Sequence, residues 1–162
     1  HGGAPVREMM ILAARAAGAE VTHVDSVRQV VDWGRQNQDA SGLSAIRWVV
    51  EDAAAFVRRE AKRGNRYAGI VLDPPAYGRG PDGEKWILED HLDGLLRDCA
   101  QLLEPNGFVV LNLYSMGLSA VVAHTLLNLH FGRSAALVEH YAEDPHGKRL
   151  PFGTVARIAP LP

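Results

Sequence analysis

The stretch VLDPPAYGRG, residues 71–80, places an acid and two prolines where an apolar run ends. Proline has no N–H and cannot continue a helix or a strand ladder, so Pro74 and Pro75 hold the chain stiff and extended after Asp73. Their free carbonyls and the Asp73 carboxylate form an acceptor cluster suited to an exocyclic amino group. Tyr77 can stack on a flat ring, and the segment GRGP, predicted to be a flexible loop, carries Arg79, which can meet a phosphate. The alternative is a proline-stiffened turn with no chemistry.

Two earlier apolar segments also end at or beside an acid. VTHVD ends in Asp25, and IRWVVE is followed by Asp52. An acid after one strand can accept hydrogen bonds from both hydroxyls of a ribose, and an acid after the next strand can accept from an adenine amino group. The alternative for each is a helix cap, with Ser26 as a further cap for the helix that follows Asp25.

Helices and strands are predicted to alternate along the chain. Strands are predicted at 20–25, 46–51, 67–73 and 108–115, and helices at 5–17, 26–43, 53–64, 88–107 and 118–132, the fourth stopped by Pro105 and Gly107. Residues 134–160 read as a hairpin, which gives an antiparallel edge strand. This pattern predicts an α/β fold with a doubly wound, mostly parallel sheet, in which ligands bind at the carboxyl ends of the strands.

Composition sets outer bounds on the function. The 162 residues predict one domain, and the net charge of −2 gives no global attraction to nucleic acid. A single cysteine, Cys99, excludes an internal disulfide and fits a reducing, cytoplasmic location. No apolar run reaches the roughly 18 residues of a membrane helix. The histidines show no paired metal-ligand spacing, so no metal is predicted. The basic cluster at 58–66 is either a solvated helix face or an RNA phosphate contact.

The chain resembles the class I S-adenosylmethionine-dependent methyltransferases, and within them the bacterial 23S ribosomal RNA large-subunit group that carries a DPP-x-aromatic motif. The resemblance rests on residues 17–43, 46–60, 66–86, 102–115 and 153–158, which include RYAGIVLDPPAYGRGPDGEKW and LLEPNGFVVLNLYS. It implies a Rossmann-like fold, S-adenosylmethionine as cofactor, and RNA, specifically ribosomal RNA, as substrate.

The resemblance also implies roles for particular residues. Asp25 and Ser26 would bind the cofactor ribose, and Asp52 with the Ala53 backbone would bind the adenine. Asp73, Pro74, Pro75 and Tyr77 would form the catalytic loop that holds the target and faces the cofactor, with Arg79 and Lys85 placed to contact the substrate.

Two departures from that family carry further expectations. The family begins its catalytic domain with a strand and a glycine-rich loop, of which only HGGA, containing Gly3, is present; we therefore expect residues 1–162 to be one catalytic domain truncated at its N-terminus, without the first strand. Members that methylate cytosine carbon 5 use a cysteine after a later strand, whereas this chain has LNLYSMG there. Direct methyl transfer is favoured over a cysteine-mediated route.

Three alternatives remain open from the sequence. The methyl acceptor is a protein or small-molecule amino group instead of RNA, or the chain is a non-catalytic module of the same fold. The third, a nicotinamide-dependent oxidoreductase, also uses an acid after a strand, but the chain has no G-x-G-x-x-G and such an enzyme gives the DPP segment no role. The oligomeric state and the methylated atom do not follow from the sequence.

Overall fold

A computed structural model describes residues 6–79, 83, 85–114 and 118–160, without the side chains at 6–9, 79 and 152. The predicted Gly3 lies outside these ranges. Helices and strands alternate as predicted. The described helices are α1 (Val6–Ala16), α2 (Arg28–Ala40), α3 (Ala53–Lys62), α4 (Leu88–Ala100) and α5 (Ala120–Phe131), and the described strands are β1 (Val21–Asp25), β2 (Ile46–Val50), β3 (Tyr67–Leu72), β4 (Tyr77–Arg79), β5 (Lys85–Ile87), β6 (Leu103–Leu113), β7 (Ala136–Glu143) and β8 (Arg149–Ile158).

The described residues divide into two compact units, one of residues 6–56 and one of residues 57–79, 83, 85–114 and 118–160. In the first unit β1 and β2 run parallel, with Asp25 opposite Val50. Helix α2 packs on this pair so closely that a Cβ at Gly34 would lie 2.5 Å from Cζ3 of Trp48. The Trp48 indole also donates to Gln38 Oε1 at 2.9 Å, which fixes α2 against β2.

The second unit contains a mixed sheet in the order β3-β6-β8-β7. β3 and β6 are parallel, and β8 is antiparallel to both of its neighbours. Helices α4 and α5 cover this sheet with a continuous apolar core, because their leucines recur at helical spacing. The fully buried members of that core include Leu88, Leu92, Leu96, Val109, Leu111, Ala123, Leu127 and Ala156. In the described ranges no helix is both long and apolar enough to cross a membrane.

Part of the basic cluster at 58–66 surrounds a buried acid. Glu60 has no exposed surface, and it accepts hydrogen bonds from Arg63, from Asn65 at 2.7 Å and from the Tyr67 hydroxyl at 2.8 Å. A buried carboxylate needs such partners to offset its desolvation. The hydrogen bond to Glu60 therefore supports a structural role for Arg63. An RNA contact by the other basic residues of the cluster stays a prediction.

Two predicted helix boundaries were wrong. Ser26 does not cap α2. The N-cap position is occupied by Val27, whose side chain makes no capping hydrogen bond, and the Val27 N–H donates to Asp25 Oδ1 at 2.8 Å. Helix α4 ends at Ala100, well before Pro105 and Gly107. Those two residues lie within β6, where the pairing with β3 shifts register, and a bulge tolerates proline because the ladder is interrupted there.

Two predicted features of the sheet also differ in detail. The last strand is antiparallel as predicted, but β8 lies between β6 and β7, so the edge strand is β7. The GRGP segment was expected to be a loop, whereas Gly78 and Arg79 belong to β4, which pairs antiparallel with β5.

Candidate active site

The first unit carries two acids at the carboxyl ends of its parallel strands. Asp25 is the last residue of β1, and Asp52 follows β2 by two positions. Each fixes nearby backbone with one oxygen: Asp25 Oδ1 accepts from Val27 N, and Asp52 Oδ1 accepts from Ala55 N, both at 2.8 Å. Asp52 is therefore the N-cap of α3, as its alternative interpretation had it.

Capping does not use up the Asp52 carboxylate. An ionised carboxylate has two oxygens and about four acceptor positions, so the bond to Ala55 N leaves capacity for an amino donor. Ala53 is the first residue of α3, and the first N–H groups of a helix have no partner within it. Asp52 and Ala53 thus present an acceptor beside a donor, the pattern that the edge of an aminopyrimidine ring such as adenine requires. These residues fit the cofactor that the resemblance implies.

In the second unit the DPP loop is held by the β4–β5 pair that follows it. The Trp86 indole N–H donates to the Pro75 carbonyl at 2.7 Å, and Leu88 N donates to the Ala76 carbonyl at 3.1 Å. Trp86 also stacks on His91, with ring centroids 5.0 Å apart. The sequence-based expectation of free proline carbonyls is therefore wrong for Pro75, and Trp86 anchors the loop.

The carboxylate of Asp73 is held from a different strand. Asn112, on β6 and only 8% exposed, donates from Nδ2 to Asp73 Oδ1 at 3.0 Å and to the hydroxyl oxygen of Tyr114. Because Asn112 is buried within the strand, its amide sets the orientation of the Asp73 carboxylate. The three residues form one polar chain at the carboxyl ends of β3 and β6.

Two phenol rings at this edge are open to solvent. Tyr77 is 58% exposed and Tyr114 is 52% exposed. Exposed aromatic rings beside a fixed carboxylate can stack on a planar ring while the acid accepts from its amino group. Two cationic residues, Arg79 and Lys85, occupy directly paired positions on β4 and β5.

The single cysteine, Cys99, lies in the last turn of α4. Cys99 is fully buried, and burial raises its pKa to about 12, with the charge of Asp98 adding to the shift. A thiol with so high a pKa is a poor nucleophile. In the part of the chain that the structure describes, no three His, Cys, Asp or Glu side chains gather as a metal site.

Comparison with known proteins decides the family of this fold. A crystal structure of a SAM-dependent methyltransferase from Agrobacterium tumefaciens superimposes with a TM-score of 0.86 at 37% identity, covering 93% of this chain and 52% of that one. The chain is a relative of the class I S-adenosylmethionine-dependent methyltransferases. The predicted α/β class is thereby confirmed. No protein-family model matches the chain.

Curated relatives include ribosomal RNA methyltransferases. The ribosomal RNA large subunit methyltransferase I of Aeromonas salmonicida is 28% identical over 154 residues, which cover 88% of this chain and 38% of the relative. An uncharacterized RNA methyltransferase of Thermotoga maritima is 34% identical over 71 residues, 44% of this chain and 16% of that protein. The chain described here therefore spans less than half the length of the curated proteins it matches.

Sequence reasoning assigned no role to Asn112 or Tyr114. Both lie in the run FVVLNLYS, residues 108–115, which was predicted as a strand whose carboxyl end lies at the ligand-binding edge of the sheet. The signal was an amide in the middle of an otherwise apolar strand. A buried amide must have hydrogen-bond partners, so Asn112 predicted a polar neighbour on the adjoining strand. The sequence did not identify that neighbour as Asp73.

Proposed function

We propose that this chain is a catalytic domain that transfers a methyl group from S-adenosylmethionine to RNA, specifically to ribosomal RNA of the large subunit. The observation that carries the proposal is the DPPAY loop, whose acid is fixed by Asn112 and whose aromatic residue is exposed. The fold and the relatives named above support the methyltransferase chemistry. The same proposal includes a cytoplasmic location, which the single cysteine of the chain fits.

The cofactor residues in this proposal are at the ends of β1 and β2. Asp25 accepts from the ribose hydroxyls, with Ser26 beside it, and Asp52 with the Ala53 N–H binds the adenine edge. When bound, S-adenosylmethionine supplies a methyl group on a sulfonium, which is already activated. The protein therefore contributes mainly position and orientation, which account for much of the barrier reduction in such transfers.

The target residues are those of the DPP loop. Asp73 and the Pro74 carbonyl accept from an exocyclic amino group of the target base, and Tyr77 stacks on its ring. The hydrogen bond from Trp86, on β5, to the Pro75 carbonyl keeps this surface rigid, so little conformational entropy is lost when the base binds.

Direct transfer is the proposed route. A cysteine-mediated route needs a thiolate at the target atom, and the one thiol of this chain, Cys99, is buried in α4 with a pKa raised to about 12. The paired cations Arg79 and Lys85 would contact RNA phosphates beside the target, which predicts that high salt weakens substrate binding.

The first test is calorimetric titration of S-adenosylhomocysteine into the chain. Asp25→Asn keeps an oxygen to accept from Val27 N but removes the charge, so it should weaken binding at least about tenfold without loss of fold. Asp39→Asn, on the exposed surface of α2, is the matched control and should bind as the unsubstituted chain does. Equal affinities for the two variants would remove Asp25 from the cofactor site.

The second test measures transfer of a tritiated methyl group to a large-subunit ribosomal RNA transcript. Tyr77→Ala should abolish transfer and leave S-adenosylhomocysteine affinity unchanged, whereas Tyr77→Phe, which keeps the ring, should retain activity. Full turnover by Tyr77→Ala would show that the DPP loop does not hold the target.

A further inference from the structure

The last two strands form a ribbon that extends past the sheet. β8 pairs with β6 only over Thr154–Ile158, but with β7 over Arg149–Arg157. Residues 149–153 therefore have β7 as their one described neighbour strand. Residues 140–153, here called the ribbon, stand out from the sheet as two strands and a turn.

The ribbon projects from the edge of the sheet that carries the DPP loop. Leu113, at the carboxyl end of β6, pairs with Thr154, and β8 runs antiparallel, so residues before Thr154 lie beyond that end. At the base of the ribbon, a Cβ placed on Gly153 would lie 3.3 Å from Cδ1 of Tyr114. The base of the ribbon thus lies beside a residue of the candidate active site.

One face of the ribbon carries a stacked cation and aromatic ring. The Arg149 guanidinium carbon lies 4.6 Å from the centroid of the Tyr141 ring, and Arg149 Nε donates to Glu143 Oε2 at 2.9 Å. The group is open to solvent: Tyr141 is 46% exposed and the Arg149 side chain 64%. Exposed phenol and guanidinium planes are surfaces on which unpaired nucleobases stack.

The turn of the ribbon is built to hold this face in place. Asp144 Oδ1 accepts from the N–H groups of both His146 and Lys148 at 2.8 Å, and Asp144 N donates to the Lys148 carbonyl at 2.9 Å. Gly147 supplies the positive φ of 79° that this turn needs. The platform is therefore ordered before any ligand arrives.

We propose that the ribbon binds single-stranded RNA beside the target nucleotide, with a flanking base stacked on Tyr141 and Arg149. The proposal rests on the RNA methyltransferase function proposed above. Glu143 and Asp144 offset the charges of Lys148 and Arg149, so the ribbon offers little net attraction to phosphate. Stacking supplies its affinity, which requires unpaired bases and selects single strands over duplex.

The test uses the full chain, saturated with S-adenosylhomocysteine, and a fluorescein-labelled single-stranded RNA of about ten nucleotides, followed by fluorescence anisotropy. Tyr141→Ala should weaken binding about tenfold, and by the same factor at low and high salt. Tyr141→Phe should bind normally, and Arg149→Lys, which keeps the charge but not the plane, should bind more weakly. Arg157→Ala, an exposed cation on β8 away from the ribbon, is the control and should have no effect.

Each outcome bears on a named part of the proposal. RNA binding that Tyr141→Ala leaves unchanged, or that Arg157→Ala weakens equally, overturns the ribbon site alone. Equal affinity for the same RNA annealed to its complement overturns the stacking mechanism. If the unsubstituted chain does not bind the RNA, the ribbon site and the RNA substrate both fall, while the separate S-adenosylhomocysteine titration still tests the cofactor. Circular dichroism of each variant checks that it is folded.

Discussion

The hydrogen bond between Asn112 and Asp73 can be tested by turning it into a repulsion. Asn112→Asp keeps the shape of the side chain but replaces the donor at 3.0 Å from Asp73 Oδ1 with a second acidic oxygen. Position 112 is buried, so neither carboxylate can turn fully into water. We expect the pair to retain one proton near neutral pH, as close carboxylates do.

The magnitude follows from the distance. Two unit charges about 3 Å apart repel by about 5 kcal/mol at an effective dielectric constant of about 20. Proton uptake limits the loss, because the pair then carries one negative charge instead of two, and each unit by which the pKa is raised costs about 1.4 kcal/mol above that pKa. The folded variant then binds more protons than the unfolded chain, so its stability falls as pH rises through the raised pKa and recovers toward pH about 4.

Urea unfolding followed by tryptophan fluorescence at pH about 5 and about 8 measures this difference. Asn106→Asp, the same chemical change at an exposed position of β6, is the control and should alter stability by less than about 0.5 kcal/mol at both pH values. The reasoning is refuted if Asn112→Asp matches the control, or if its loss is the same at the two pH values.

Three further predictions concern packing and the buried groups. Gly34→Ala should destabilise the chain by about 1–3 kcal/mol in thermal unfolding, because the new methyl meets Trp48, whereas Gly94→Ala in α4 has room and should be neutral or stabilising. Glu60→Ala should cost about 3–5 kcal/mol in urea unfolding by leaving its donors unpaired, and Glu60→Gln, which keeps an acceptor, should cost less. Cys99 should react with a thiol-specific dye at pH about 8 only as fast as the chain opens, since its pKa is raised to about 12; rapid labelling of folded protein would contradict its burial.

Local sequence signals placed the DPP segment correctly but not its partners. An apolar run followed by two prolines predicted a strand end, and β3 ends at Leu72. The hydrogen bond from Trp86 to the Pro75 carbonyl joins residues 11 positions apart through the β4–β5 pair, a segment that was predicted to be a loop. Short strands such as β4 and β5 have too few residues for an alternating pattern, so single-sequence reasoning does not find them.

The end of α4 was also predicted wrongly, because the prediction relied on helix-breaking residues alone. Pro105 and Gly107 break helices, and the sequence offered no earlier breaker. The helix nevertheless ends at Ala100, and Leu102 and Leu103 beyond it are both buried. Burial of those leucines sets the boundary, and the proline falls in a bulge of the following strand. Core packing of this kind overrides local propensity.

The acids at the strand ends show where local reasoning reaches its limit. A strand followed directly by a helix needs a cap and also lies at the ligand-binding edge, so the sequence cannot separate the two roles of Asp52. Asp73 is different, because the loop after it leads into β4 and provides no helix to cap. Its carboxylate is held by a buried amide 39 residues away, an arrangement that local backbone geometry does not require. Asp73 is therefore the acid whose position most directly calls for a functional explanation, and Asn112→Asp is the substitution that tests it.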